Sequence, residues 1–215
     1  MYRSLEKEVR KTPMAGRPRS FDRDEALSRA LEVFWTKGYA DASMTDLTGA
    51  MGINAPSLYA AFGSKEALFR EAVRLYTDTQ GAALWASMTE AATARDAIGG
   101  LLLATAMASG ECDHPKGCLL AISSANLDAL PKGACDDVAA IRKDAFATMR
   151  DRLSAGQAAG EIAPDADLTA MAAFFATVQQ GMTFRSREGA TADELAGTAR
   201  AAMLAWDGLA GLTRS

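Results

Sequence analysis

The sequence of 215 residues lacks most of the chemistry that enzymes and secreted proteins use. It contains one histidine, His114, and three cysteines, an odd number that argues against a disulfide framework. It has no GxSxG, P-loop or HExxH motif, and no glycine-rich phosphate loop follows a strand pattern. We therefore expect no enzymatic activity, no cofactor and no metal site.

Long apolar runs and strand patterns are missing as well. No stretch of about 18 uninterrupted apolar residues occurs, and the N-terminus shows no secretion-signal pattern. Val and Ile are scarce, whereas Ala, Leu and Met, which favour helices, dominate the 49% of residues that are hydrophobic. These features predict an all-α, soluble, cytoplasmic protein without a membrane partner.

The charge of the chain is distributed unevenly. Its net charge of −4 is unusual for a protein that binds nucleic acid. Residues 1–63 carry nine Lys or Arg and eight Asp or Glu, which gives +1, whereas the remaining residues carry −5. Because DNA binding requires local positive charge and not a basic whole chain, the composition leaves that function open.

The segment Ser43–Lys65 contains two short apolar patterns that meet at Gly52. Asn54 can cap the second pattern, and Pro56 fits a first helical turn. Two short helices that cross at a glycine-containing turn predict a helix-turn-helix, although two core helices of an unrelated all-α domain would give the same pattern. The apolar residues at helical spacing are Met44, Leu47 and Met51 before the glycine, and Ile53, Leu58 and Phe62 after it.

Phe21 to Lys65 resembles the N-terminal domain of the TetR (tetracycline repressor) family of bacterial transcription regulators. The matching pieces are ALEVFWTKGY, SMTDLTGAMGI and SLYAAFGSKEALF, and the resemblance is specific over about the first third of the chain. It implies a three-helix DNA-binding domain at 21–66, preceded by a flexible basic arm at 1–20. A C-terminal helical bundle at 67–215 would bind a ligand and dimerise, for a total of about nine helices.

The resemblance implies a ligand-responsive regulator, most simply a repressor that a small molecule releases from its operator. Tyr59 and Lys65 resemble the family's phosphate-contacting tyrosine and lysine. Hydroxyls at the start of the second helix can hold a phosphate, although Ser43 could equally be a simple N-cap. The residues expected to contact double-stranded DNA are Arg17, Arg19, Ser43, Thr45, Ala55, Pro56, Ser57, Tyr59 and Lys65.

These residues offer few ways to distinguish bases. Ala55 and Pro56 have no side-chain donor, so direct readout would depend on Ser57, Thr45, thymine methyl contacts and DNA shape. Arg17 and Arg19 could reach phosphates or an adjacent minor groove, although the arm could also be a solvated terminus without a role in binding.

The remaining sequence predicts a long fourth helix and five more. The last two are rich in Ala and Gly, which suits an intermolecular four-helix bundle, although an intramolecular bundle is also possible. A homodimer would match a palindromic operator, and the resemblance favours it. The expected helices are Ser64 to about Gly81, Ala94–Ser109, Cys118–Leu127, Cys135–Ala158, Asp167–Arg187 and Thr191–Leu209.

The resemblance places a cavity for the small-molecule effector among helices four to eight. Apolar and amphipathic residues in this region suit a moderately hydrophobic ligand, although each of them could be plain core. The candidate ligand-binding residues are Met107, Phe146, Met149, Phe175, Gln179 and Met182.

The cysteines allow one alternative mechanism. Cys112, His114 and Cys118 supply too few ligands for a structural zinc site without a fourth from elsewhere. Cys118 could begin a helix, where the helix dipole favours a thiolate, so a thiol-based redox or electrophile sensor on the same scaffold is the alternative function. Since an apolar run follows it, Cys118 could instead be a small buried hydrophobe.

Overall fold

A computed structural model describes residues 21–110, 115–125 and 127–212. No β-strand occurs in these ranges, so the all-α prediction is confirmed. Within the same ranges, no helix combines the length and hydrophobicity needed to cross a bilayer. The α-helices are α1 (Arg23–Asp41), α2 (Met44–Met51), α3 (Ala55–Phe62), α4 (Lys65–Tyr76), α5 (Ala82–Trp85), α6 (Ser87–Glu90), α7 (Ala94–Ala108), α8 (Leu119–Ala125), α9 (Lys132–Ala158), α10 (Leu168–Arg187), α11 (Ala192–Met203) and α12 (Trp206–Leu209).

Asp22 caps the start of helix α1, and Gly38 interrupts its helical backbone near the other end. The Asp22 carboxylate accepts hydrogen bonds from the backbone N–H groups of Asp24 and Glu25, at 2.9 and 3.1 Å, and so caps the first turn. Gly38 has a φ of 78°, which a side chain would make unfavourable, and turns the chain towards α2. The buried face of α1 consists of Ala26, Leu27, Ala30, Leu31, Phe34 and Trp35.

Two of the nine expected helices are divided into shorter segments. The helix expected from Ser64 to about Gly81 runs as α4, a π-helical turn at Thr77–Gly81 and α5, and α6 follows. The last expected helix ends as α11 at Met203, because the next two N–H groups bond three residues back, which tightens the chain before α12. Sequence periodicity alone did not show either interruption.

Helix α9 begins three residues earlier than expected. Pro131 has a φ of −57°, and its carbonyl accepts the N–H of Cys135 at 2.9 Å, so proline starts this helix and does not stop it. Gly133 also lies inside the helix. A Cβ on Gly133 would lie 2.7 Å from Glu66 Oε1, so its missing side chain permits α9 to approach α4.

The described residues bury two apolar cores. The first contains the buried faces of α1 to α4, together with Leu119 and Ile122 from α8 and Ala134 and Val138 from α9. The second lies among α6, α7 and α9 to α12. The N-terminal helices α1 to α4 therefore pack directly on α8 and α9. A displacement of α8 or α9 can be transmitted to α1 to α4 through these buried side chains.

Candidate nucleic-acid interface and ligand cavity

The N-terminus of α2 is fixed by a reciprocal capping box. The Ser43 hydroxyl accepts the Asp46 N–H at 3.0 Å, while the Asp46 carboxylate accepts the Ser43 N–H at 3.0 Å. Lys37 from α1 donates to Asp46 Oδ1 at 2.6 Å. Hydrogen bonds from Lys37 and then Ser43 lower the pKa of Asp46 to about 2. Lys37 was not among the sequence candidates, because its partner is identified only once α1 and α2 are packed.

Helix α3 exposes one face and buries the other. The Asn54 side chain accepts the Ser57 N–H at 2.9 Å and so defines the first turn. Leu58 and Phe62 are buried, whereas 49% of the Tyr59 side chain is exposed. This is the arrangement of a recognition helix whose N-terminal end can enter a major groove.

The other expected DNA contacts differ in exposure. Thr45 and Pro56 are exposed, whereas Ala55 and Ser57 are half-buried. Arg17 and Arg19 lie outside the described residues. The exposed groups on α2 and α3 can therefore approach a nucleic acid without rearrangement of the cores.

Lys65, at the start of α4, is held against the corner between α1 and α2. Its Nζ atom lies 4.5 Å from the Tyr39 ring centroid and 3.5 Å from the carbonyl oxygen of Ala40. Burial lowers the pKa of Lys65 from its ordinary value, while Asp41 opposes that shift. Since Ser43 follows Ala40 by three residues, both proposed phosphate-binding groups lie beside the same corner.

Arg23 is basic but has a structural role. Its guanidinium pairs with the Glu71 carboxylate at 2.7 Å and lies 4.4 Å from the Phe62 ring centroid. These contacts join the beginning of α1 to α3 and α4. Arg23 therefore stabilises the three-helix arrangement, and we do not count it as a DNA contact.

A cavity of about 450 Å³ lies at the C-terminal end of α4. Its wall is formed by the end of α4, the π-helical turn, α5, α8, α9 and α10. Phe146, Met149 and Gln179, three of the six candidate ligand-binding residues, line it. Cavities of this size accommodate drug-sized molecules.

The other three candidates do not line this cavity, and their role in ligand binding stays a prediction. Met107 is 60% exposed on α7. Phe175 and Met182 are buried in the second core, where the Phe175 ring lies 5.8 Å from Trp206 between centroids. These two residues are seven positions apart and share one face of α10, while Gln179 belongs to the neighbouring face that borders the cavity.

Tyr76, Cys118 and Trp35 connect the cavity wall to α1. Tyr76 lies beside Cys118, and burial, followed by Cys118, raises the pKa of Tyr76. The Trp35 ring packs edge-on against Tyr76 with centroids 4.9 Å apart, and its Nε1–H donates to the Gly117 carbonyl at 3.1 Å. Tyr76 and Cys118 both line the cavity, so a ligand there would touch residues that contact α1 directly. The other two members of the cysteine motif, Cys112 and His114, lie outside the described ranges.

Two charged side chains join the N-terminal helices to the helices of the cavity wall. Arg70 of α4 donates twice to the Asp137 carboxylate of α9, at 2.6 and 3.1 Å. Hydrogen bonding by Arg70 lowers the pKa of Asp137. Arg187, at the end of α10, donates to the carbonyls of Trp35 and Thr36 at 3.2 and 2.8 Å. The part of α1 just before Gly38 is therefore bonded to the helix that carries Gln179.

Two family models match the chain. Residues 26–72 match the model of bacterial regulatory proteins of the tetR family. Residues 100–203 match the tetracyclin repressor-like C-terminal domain. Together they cover both the unit that contains α2 and α3 and most of the helices that enclose the cavity.

Curated relatives and solved structures agree with these matches. The HTH-type transcriptional repressor ComR of Escherichia coli (strain K12) is 36% identical over 196 residues, which cover 89% of this chain and 91% of that protein. BdcR, a repressor from the same organism, is 46% identical over 65 residues, 30% of this chain and 33% of that protein. A structure of the TetR family regulator CifR, a cysteine mutant bound to 26-base-pair operator DNA, has a TM-score of 0.83 and 39% identity. The match covers 89% of this chain and all of that one.

Proposed function

This chain belongs to the TetR family of bacterial regulatory proteins, and we propose that it is a homodimeric repressor released from its operator by a small molecule. Members of the family are transcription regulators and not enzymes. The observation that carries the DNA-binding part of the proposal is the capped helix pair α2 and α3, with Thr45, Pro56 and Tyr59 exposed on it. We divide the chain functionally into the arm 1–20, the DNA-binding unit 21–66 and the regulatory unit 67–215.

The proposed DNA contacts hold the protein in position more than they read the sequence. Tyr59 can donate its hydroxyl to a phosphate from the exposed side of α3, and Lys65 can turn from Tyr39 to a phosphate beside the α1–α2 corner. Ser43 keeps its capping role while the free N–H groups at the start of α2 face an anion. The complete proposed set is Arg17, Arg19, Ser43, Thr45, Ala55, Pro56, Ser57, Tyr59 and Lys65.

The main test is salt-dependent binding to the promoter DNA of the adjacent genes. We expect Tyr59→Ala and Lys65→Ala each to weaken operator binding by about tenfold, or about 1.4 kcal/mol, because each removes a phosphate contact. Lys65→Ala should also reduce the slope of log K against log salt by about one. Fluorescence anisotropy at several salt concentrations measures both quantities.

Lys143→Ala is the matched control, because Lys143 is an exposed lysine on α9, far along the chain from the DNA-binding unit. Its operator affinity should equal that of the parent protein. Melting temperatures of all variants identify any loss of folding, which matters for Lys65 because it packs on Tyr39. Absence of sequence-selective, salt-dependent binding by the parent protein would contradict the proposed function.

The dimer is proposed to form through α10 and α11. Phe174, Thr177, Gly181 and Phe184 recur every three to four residues along α10, and all four are exposed. Phe174 and Phe184 are 37% and 41% exposed, and Leu204, just after α11, is 85% exposed. Apolar groups at this spacing suit a second copy of the same helices, and a twofold protein matches a palindromic operator.

The cavity supplies a physical route from ligand to DNA. Tyr76, Thr77 and Gly81 line it, and they continue the same helical segment that starts at Lys65. A ligand that favours one position of this segment changes the separation of the two α3 helices in the dimer. The shift in operator affinity can be no larger than the ligand's difference in affinity for the two states.

A second candidate function is sensing of electrophiles through Cys118, and its position on the cavity wall beside Tyr76 favours this. With N-ethylmaleimide as probe, the Cys118 sulfur would form an S–C bond at one alkene carbon, and the thiol proton would end on the other. We expect the reagent to release the operator from the parent protein and not from Cys118→Ser. Cys135→Ser is the control, because Cys135 is half-buried on α9 and does not line the cavity. An equal response from Cys118→Ser and the parent protein in anisotropy would rule this candidate out.

A further inference from the structure

The inner wall of the cavity is mostly apolar. Aromatic and aliphatic side chains from α5, α8 and α9 form it, among them Trp85, Leu120, Ile141 and Phe146. Apolar walls favour apolar ligand surface, and a volume of about 450 Å³ admits a molecule of moderate size.

Most of the hydroxyl donors on the wall are already in use. The hydroxyls of Thr77, Thr148 and Thr183 donate to carbonyls of their own helical segments, at 2.8, 2.9 and 3.1 Å. The side-chain amides of Gln179 and Gln180, by contrast, make no hydrogen bond to any residue in the described ranges. Each amide can donate and accept, so the two form a place for one or two polar atoms of a ligand.

The charged groups on the described wall have opposite signs. Arg142 and Asp144 lie two positions apart on α9, and neither forms an ion pair with a described residue. Because their fields oppose each other, an ionic ligand attracted by one is repelled by the other. An ionic group placed deeper, among the apolar side chains, would lose its hydration without a partner.

From this wall we infer that the effector is a neutral, largely apolar molecule with one hydrogen-bonding group, such as a hydroxyl or carbonyl, bound by Gln179 and Gln180. This inference rests on the proposed effector function, and it names the class of ligand for that site. On this inference, Arg142 contributes little to the affinity for the ligand, whereas the ligand needs the cavity volume beside Ala145 on α9.

Three probes of equal chain length test the class of ligand directly: 1-octanol, octanoate and octylammonium. Isothermal titration calorimetry on the full-length protein gives the affinity for each. We expect 1-octanol to bind at least about tenfold more tightly than either ion, since burial of an unpaired charge costs more than burial of a hydroxyl with a partner. Tighter binding of octanoate or octylammonium overturns the inference.

Variants locate the bound probe. Ala145→Phe fills the cavity and should weaken 1-octanol binding at least about tenfold, while Ala140→Phe, on the exposed side of the same helix, should not change it. Gln179→Leu removes the polar partner without added bulk and should weaken 1-octanol severalfold. Arg142→Gln should alter it by less than about threefold. Binding that is insensitive to both Ala145→Phe and Gln179→Leu overturns the assignment.

Operator release is measured separately by anisotropy, so that the two proposals can fail independently. If 1-octanol binds in the cavity and no probe releases DNA, the inference of a neutral ligand is supported and effector-driven release is contradicted. If octanoate both binds more tightly and releases DNA, effector-driven release stands and the neutral class is wrong.

Discussion

Phe184→Asp is expected to convert the protein to a monomer and to lower its affinity for a palindromic operator at least about a hundredfold. The Phe184 side chain is 41% exposed on the proposed dimer face of α10. In a dimer its partner would cover it, and aspartate there would bring two carboxylates together in an apolar bundle. The operator would then be bound by two independent α3 helices and not by a linked pair. Loss of that linkage removes a factor of about 10² to 10⁴ in affinity.

The measurement combines molar mass from light scattering with anisotropy on two DNAs. A full palindrome should bind the variant at least about a hundredfold more weakly, or about 2.7 kcal/mol, while a half-site should lose little. Leu127→Asp is the control, because Leu127 is 38% exposed but lies on the turn between α8 and α9. A Phe184→Asp protein that remains dimeric with parental operator affinity would place the interface elsewhere.

Local sequence signals predicted the DNA-binding unit well. The caps at Ser43 and Asn54 act within one helical turn, so their partners could be identified from spacing alone. The glycine at position 52 has a φ of 65°, which explains why this residue separates the two apolar patterns. The family resemblance then supplied the function that these caps and patterns could not.

The cavity was harder to predict because it depends on how helices are rotated against one another. On α10, the choice between Phe175 and Gln179 as a wall residue depends on which face meets α7 and which meets α9. Tyr76, Cys118 and Trp35 are far apart in sequence, and no local pattern joins them. The π-helical turn at Thr77–Gly81 likewise reflects packing, since its residues carry no sequence signal for a wider turn.

Gly156 is a position where backbone approach, and not a side-chain contact, is expected to control stability. A Cβ at Gly156 of α9 would lie 2.6 Å from the Cβ of Ala94, at the first residue of α7. It would also lie 3.4 Å from Glu161 Oε2, which accepts the Ala94 N–H and so caps α7. Neither the Ala94 methyl nor this capped turn can move without shifting a helix.

We therefore expect Gly156→Ala to lower the free energy of unfolding by about 1–3 kcal/mol, even though alanine favours helices. Gly49→Ala is the matched control, because Gly49 is also helical but a Cβ there meets no heavy atom within 4 Å. Gly49→Ala should not lower the free energy of unfolding and should raise it by up to about 1 kcal/mol. Urea unfolding at one fixed protein concentration compares them, since a dimer's stability depends on concentration. Equal or greater stability of Gly156→Ala would mean that α7 and α9 separate at little cost, and α9 would then be free to respond to a ligand at this end too.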